Sequence, residues 1–265
     1  MKVFIEREPN DSGKGKFIGR LIRAWDRMGV KYSFELKGCD VALGLTRWRS
    51  KIKGVPKVLR VDGIHLRKNK RAKWRNEMVR KSIKVSDAVI WQSKFAEHTV
   101  MKWLKIVPKK SVIIYNGDCP SEYLDVMPMP KGEGKDVLMS AKWFSRSLRK
   151  SKKLELHLGV AMEYLNNIKR DVRFWLAGDT GGNVHDTPQI TVLGKLCDRD
   201  LKRDLKMADC LLYLAHPDWC PNQVVESIVA GTPVVCLPGS ASRSTQSRSL
   251  RDHLQSVDGV GMSTP

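Results

Sequence analysis

"HPDWCPNQVVESIVAGTPVVCLPG", residues 216–239, holds a loop, a helix, a tight turn and a strand in immediate succession. Asp218 stands in the loop, Pro221 and Asn222 at the predicted helix start, and Glu226 one turn inside. Gly231, Thr232 and Pro233 then stop the helix before an apolar strand. That order is the second half of a wound parallel-sheet unit. A helix beginning near Asn222 leaves its first N–H groups and positive dipole end open to a phosphate. Glu226 can reach a sugar or ribose hydroxyl near that end, and Asp218 can approach from the loop. Carboxylates accept strongly from hydroxyl groups, so the pair suits a polyhydroxylated ligand carrying phosphate. Each residue also has a plainer reading: Asp218 as a loop or cap acid, Asn222 as an N-cap, Glu226 as an exposed helix charge.

Working outward, the same alternation of short apolar runs and amphipathic stretches fills the chain. "KVFIE" (2–6) opens as a strand, and "FIGRLIRAWDRMG" (17–29) places Phe17, Ile18, Leu21, Ile22 and Trp25 at helical spacing before Gly29. "CDVALGL", "KVLRVDG", "DAVIWQS" and "SVIIYNG" read as further strands, with "SKFAEHTVMKWLK" (93–105) the clearest helix between them. Two prolines and two glycines in "DVMPMPKGEGKD" (125–136) interrupt the pattern and predict an inter-domain connection. It restarts with strands "DVLMSAKW", "VRFWLAGD", "ITVLGKL", "CLLYLA" and "TPVVCLPG" and helices "KKLELHLGVAMEYLNN", "DRDLKRDLKMAD" and "NQVVESIVAG". The expected organisation is two Rossmann-like α/β domains, 1–128 and 129–240, facing each other across a cleft. A polar tail, 241–265, contains one short helical candidate, "SRSLRDHLQSV". Ligands of such folds sit at the carboxyl ends of the strands.

The formal charge is +20, and it is concentrated: between Arg47 and Lys110, 20 Lys and Arg face only Asp62, Glu77, Asp87 and Glu97. A field of that density gathers polyanions, so nucleic acid or an anionic membrane surface is the expected partner. No stretch has the ~18 uninterrupted apolar residues of a membrane span, and "MKVFIEREPNDSGKGK" turns charged too early for a signal peptide. A soluble, cytoplasmic chain is expected, in the host cytoplasm if it is viral. The six cysteines are scattered without zinc-ligand spacing and read as reduced, mostly buried thiols.

With Asp218, Pro221, Asn222, Glu226, Gly231, Pro233, Val234 and Val235 in place, the opening stretch resembles the signature of retaining GT-B glycosyltransferases of the large sucrose-synthase and mannosyltransferase-like family. Gly13 and Gly15 in a first loop, "SDAVIWQSKFA", "NGD" at 116–118 and "FWLAGD" at 174–179 follow in the family's order, so the resemblance spans roughly residues 1–240. It implies a nucleotide-sugar donor, UDP-linked by default, held by the C-terminal half, and an acceptor held by the N-terminal half. No cofactor or metal is implied. Glu226 would hold the donor ribose, and Asp218 with Pro221 and Asn222 the transferred sugar. Lys142 and Lys150 would neutralise the departing diphosphate, where fixed cations stabilise developing negative charge. Arg146, Arg149, Lys152 and Lys153 compete with Lys150 for that position. Asp218 departs from the family's usual Glu by one methylene. The chain is also short for the family, which leaves it as a compact, strongly basic, phage-type member.

"RVDGIHL" (60–66) places Asp62 and His65 just after a predicted strand, where an acceptor or transferred sugar would be met. "SGKGK" fails the phosphate-loop spacing, because Asn10 stands where its first glycine belongs, and reads instead as a glycine-rich acceptor or phosphate loop. Asp198 and Asp200 spell a metal-binding Asp-x-Asp but open a helix, where acids favour the dipole. "LRKNKRAKWRNEMVRKSIK" (66–84) adds Lys70, Arg71 and Lys73 to an apolar side of Trp74, Met78, Val79 and Ile83. Its cations suit the phosphates of an acceptor. The expected activity is metal-independent hexosyl or pentosyl transfer, with retention, to a hydroxymethylated base in DNA. Two alternatives stand beside it: a membrane-associated enzyme acting on a lipid-linked or envelope glycan, and a non-catalytic nucleic-acid-binding module.

Overall fold

Every strand pairing among the described residues is parallel, and the strands form two separate sheets. The structure is a computed structural model and describes residues 1–10, 12–67, 69–141, 143, 153–168, 171–182, 184–215 and 218–237. The chain divides into two compact units, Met1–Tyr115 and a second beginning at Asn116.

The first unit runs β1 (Lys2–Ile5), α1 (Gly13–Met28), β2 (Lys31–Ser33), β3 (Val41–Leu45), β4 (Lys57–Val61), α2 (Lys70–Val85), β5 (Ala88–Trp91), α3 (Lys94–Leu104) and β6 (Ser111–Ile113). Its strand order is β2-β1-β3-β4-β5-β6. Strands with helices on their faces must be apolar on both sides, which is why five of the six stood out as apolar runs. β2 did not, being a short edge strand of Lys31, Tyr32 and Ser33. α1 begins four residues before the predicted Phe17, capped by the Ser12 side chain, which accepts from the Gly15 N–H. The expected glycine-rich loop is therefore corrected: Gly13 and Gly15 lie in the first helical turn. Gly15 is required by space, since a Cβ there would run into the Asn10 backbone. Ile18 packs with Ile5 and Leu45, flanked by Phe17, Ile22 and Trp25. On α2, Val79 and Ile83 are buried as expected, but Trp74 is 58% exposed. The Arg47 guanidinium covers its ring, 5.5 Å from the centroid.

The second unit runs α4 (Ser121–Leu124), β7 (Lys135–Ser140), α5 (Leu154–Ile168), β8 (Val172–Ala177), β9 (Ile190–Gly194), α6 (Asp198–Met207), β10 (Cys210–Tyr213), α7 (Asn222–Ala230) and β11 (Val234–Cys236), in the order β11-β10-β7-β8-β9. Alternate residues of β7 serve the two faces: Met139 packs with Leu154, Phe174 and Leu176, and Leu138 with Leu205, Leu211 and Val224. Residues 116–128, expected with the N-terminal domain, join this unit instead. Lys202 of α6 lies 2.8 Å from Glu122 and 2.7 Å from Asp198. Lys206 donates to the carbonyls of Tyr123 and Val126 at 3.0 and 2.7 Å. The two lysines thus fasten the connector to α6, ahead of the Pro/Gly stretch.

Asp198 and Asp200 occupy the first turn of α6, and the Cys197 side chain caps it. All six cysteines are free, but only Cys39 and Cys220 are buried, and Cys197 is exposed at its cap. The tail helix candidate lies outside the described residues.

Candidate functional site

In a wound sheet the crevice for a ligand opens where the strand order reverses, outside the carboxyl ends. In the second unit that point lies between β7 and β10, because the chain builds β8 and β9 on one side of β7 and then returns to lay β10 on the other. The loop after β10 carries Asp218, and α7 carries Glu226. The Tyr213 hydroxyl donates to Asp218 Oδ2 at 2.6 Å. Burial pushes the Tyr213 phenol well above its ordinary value, and the charges of Asp218 and Glu226 push it further in the same direction. Asp218 thus meets this hydroxyl directly, and the Glu226 charge acts on it as well, although Glu226 is only 6% exposed. The reading of Glu226 as an exposed helix charge falls with that burial.

Asn222 is also not the N-cap. Pro221 occupies that position without a side-chain cap bond, and Asn222 is the first helical residue. Asn116 donates its side-chain amide to Asn222 Oδ1 at 2.8 Å and to the Cys220 carbonyl at 3.2 Å. That bond orients Asn222 with its own amide nitrogen turned away from Asn116, and the α7 N–H groups receive no side-chain cap.

The same loop is anchored from the sheet side by His157, fully buried on α5. Leu214 N–H donates to Nε2 at 2.9 Å, and Nδ1 lies 2.7 Å from the Lys153 carbonyl. An accepting Nε2 places the proton on Nδ1, so the imidazole is neutral and ties the start of α5 to the chain just ahead of Asp218. Trp143 packs edge-on against it, centroids 5.0 Å apart. Tyr213→Phe removes the donor to Asp218 and is expected to cost about 1–3 kcal/mol, read as a lowered midpoint in urea unfolding. Lys142 and Lys150, and with them Arg146, Arg149 and Lys152, lie outside the described residues.

In the first unit the reversal falls between β1 and β3. Asp62, just past β4, is 18% exposed at its side chain and paired with Arg60, which is 6% exposed. Thr46 donates its hydroxyl to Asp62 Oδ2 at 3.0 Å. Arg60 is in turn held by the Gln92 side chain at 3.1 Å and lies over the Phe17 ring, 3.7 Å from its centroid. A carboxylate gripped this way positions its neighbours and is a poor base. His65 is set by its backbone: its N–H donates to Asn76 Oδ1 at 2.9 Å, and its carbonyl accepts from Asn76 Nδ2 at 2.8 Å. Its imidazole titrates below the ordinary value, through partial burial first and then Arg75, Lys14, Arg67 and Arg71. Lys70, Arg71 and Lys73 are exposed in the opening turn of α2. Among the described residues no three His, Cys, Asp or Glu side chains gather as a metal site, and no helix is long and apolar enough to cross a membrane.

Two wound parallel sheets in one chain are the architecture of the GT-B glycosyltransferase fold. The solved structures it is similar to are of that class. They include WaaG, a glycosyltransferase involved in lipopolysaccharide biosynthesis, at a TM-score of 0.64 and 12% identity over 91% of this chain and 82% of that one. HepE of Anabaena, solved with UDP-glucose, gives 0.62 and 12% over 91% and 81%. Sucrose-phosphate synthase of Thermosynechococcus elongatus gives 0.60 and 12% over 91% and 73%. No protein-family model and no curated protein sequence matches the chain.

Proposed function

We propose that this protein is a glycosyltransferase that moves a hexosyl or pentosyl group, with retention, from a UDP-sugar to a hydroxyl on an anionic acceptor, a hydroxymethylated base in DNA. The observation that carries the donor half is the Tyr213–Asp218 hydrogen bond, within reach of the Glu226 charge, beside an α7 end without a side-chain cap. Glu226 takes the ribose hydroxyls, while Asp218, Pro221 and Asn222 take the sugar. Lys142 and Lys150 neutralise the diphosphate, so no metal is needed. The C1–O bond to phosphate breaks as the acceptor oxygen bonds to C1 on the same face, and the departing phosphate accepts the hydroxyl proton. No separate base enters, in keeping with the grip on Asp62. HepE's complex with UDP-glucose supports the choice of nucleotide.

For the acceptor, Trp74 exposed beneath Arg47 and among cations is a stacking surface for an unpaired base. A base in a duplex must leave its stack to be modified. The envelope reading draws support from WaaG's lipopolysaccharide role, and from Trp103 and Val107 standing exposed beside Lys102 and Lys105. The test is incubation with labelled UDP-sugars and either hydroxymethylated DNA or anionic liposomes. Label on DNA supports the proposal. Liposome capture with unlabelled DNA supports the second reading, and nucleotide release from neither leaves a binding module. Reversing charge at Lys70, Arg71 and Lys73 is expected to weaken DNA capture and to lower the slope of log affinity against log salt by about 1 for each phosphate no longer neutralised.

A further inference from the structure

Near the β1/β3 reversal of the first unit, the charges of Arg7, Arg47, Arg49 and Arg60, from well-separated stretches, all act on the Lys14 ammonium. Arg7 follows β1, Lys14 lies in the first turns of α1, and Arg47 and Arg49 follow β3. Among the described residues, Glu6 and Asp62 are already engaged there. Glu6 accepts from the backbone N–H of Arg49 and Ser50 and from the Ser50 hydroxyl, at 2.8, 2.9 and 2.9 Å. Asp62 is taken by Arg60 and Thr46. Lys14 Nζ donates to Thr46 Oγ1 at 2.5 Å and stays 3.7 Å from Asp62. Thr46 itself has a φ of 67°, a conformation that a β-branched residue rarely adopts and that collects at ligand clamps. Its N–H is fixed to the Arg60 carbonyl at 2.6 Å.

We propose that this crevice, lined by Arg7, Lys14, Thr46, Arg47 and Arg49, binds one phosphate group of the acceptor, with the Lys14 ammonium as its central donor. The word acceptor rests on the transferase reading; the phosphate site does not. A tetrahedral oxyanion offers oxygens in several directions at once, which suits guanidinium forks and an ammonium arriving from separate loops. Burial, and then repulsion from Arg7, Arg49, Arg60 and Arg47, lowers Lys14 to about 8, against the opposing pull of Asp62. A bound phosphate reverses that balance and holds the proton on.

The sign of the pH effect follows. Below about pH 8 Lys14 is charged in the free protein and affinity is flat; above it, binding must first take up a proton and weakens by up to about tenfold per unit. The groups facing Lys14 are Arg7, Arg47, Arg49, Arg60, Asp62 and, across the β4 loop, His65. A guanidinium keeps its charge whatever the pH of such an assay, and His65, pushed below its ordinary value, is already neutral there.

The experiment uses the full chain and an oligonucleotide carrying hydroxymethylcytosine without terminal phosphates, with inorganic phosphate and 2′-deoxycytidine 5′-monophosphate as competitors. Lys14→Met is expected to weaken oligonucleotide binding about tenfold. Lys14→Arg should restore it and abolish the fall above pH 8. Competition by the monophosphate but not by other oligonucleotides would assign the site to a terminal monoester, and the reverse to a backbone diester. Unchanged binding in folded Lys14→Met, or a flat wild-type profile between pH 7 and 9.5, overturns the proposal. Lys14-dependent binding without any sugar transfer keeps the site and removes the transferase reading. Transfer by Lys14→Met at an unchanged acceptor KM does the opposite.

Discussion

Glu226→Gln is expected to raise the donor KM or lower turnover by about 10- to 100-fold, leaving DNA retention unchanged. The replacement keeps the shape of a side chain that is almost wholly enclosed and removes only its charge. A hydrogen bond from a hydroxyl to an ionised carboxylate contributes about 1.5–3 kcal/mol, and each 1.4 kcal/mol is about a decade. Because the first unit carries the cationic surface, capture of DNA is expected to survive. The measurement is UDP release against UDP-sugar concentration, paired with DNA binding. Wild-type turnover in the variant would show that Glu226 does not meet the donor.

Gly178→Ala is expected to cost about 3 kcal/mol or more, enough to bring the urea midpoint down sharply or to prevent accumulation of folded protein. Gly178 ends β8 with a φ of 121°, where a side chain is strained in any surroundings. The surroundings are also closed: a Cβ would strike the Ala141 carbonyl oxygen and come within 2.8 Å of the Trp143 ring. The residue thus sets the path of the chain leaving β7, directly before Lys142. Urea unfolding followed by tryptophan fluorescence reads the loss. A midpoint equal to wild type would mean that the Ala141–Trp143 segment can move aside at no cost.

The wound architecture was legible because a sheet covered on both faces forces continuous apolar runs, and each of these became a strand: "VALGL", "AVIW", "VRFWLA" and "CLLY". β2 escaped notice because an edge strand needs no such run. The two acids, Asp218 and Glu226, were visible as a spacing, but the hydroxyl that Asp218 accepts from was not. Tyr213 looked like one more strand residue, and its hydroxyl matters only because the end of β10 turns it toward the loop. Asn116 was noticed as part of "NGD" without a role, since its partners lie at residues 220 and 222, beyond the reach of any local pattern. Thr46 carried no signal at all: a left-handed threonine is set by tertiary contacts that composition does not record. Lys14, in contrast, stood in plain view in "SGKGK". What that stretch did not show is the bond from its ammonium to Thr46, 32 residues further along the chain.

The fastening of the connector to α6 bears on recombination. Lys202 grips Glu122 and Lys206 grips the carbonyls of Tyr123 and Val126. A chimera joined at the proline-rich stretch would leave both lysines facing a stranger. Spliced between Tyr115 and Asn116, the second unit travels with its own strap and with the amide that orients Asn222. Exchange of the first unit at that seam then leaves the internal contacts of the second whole.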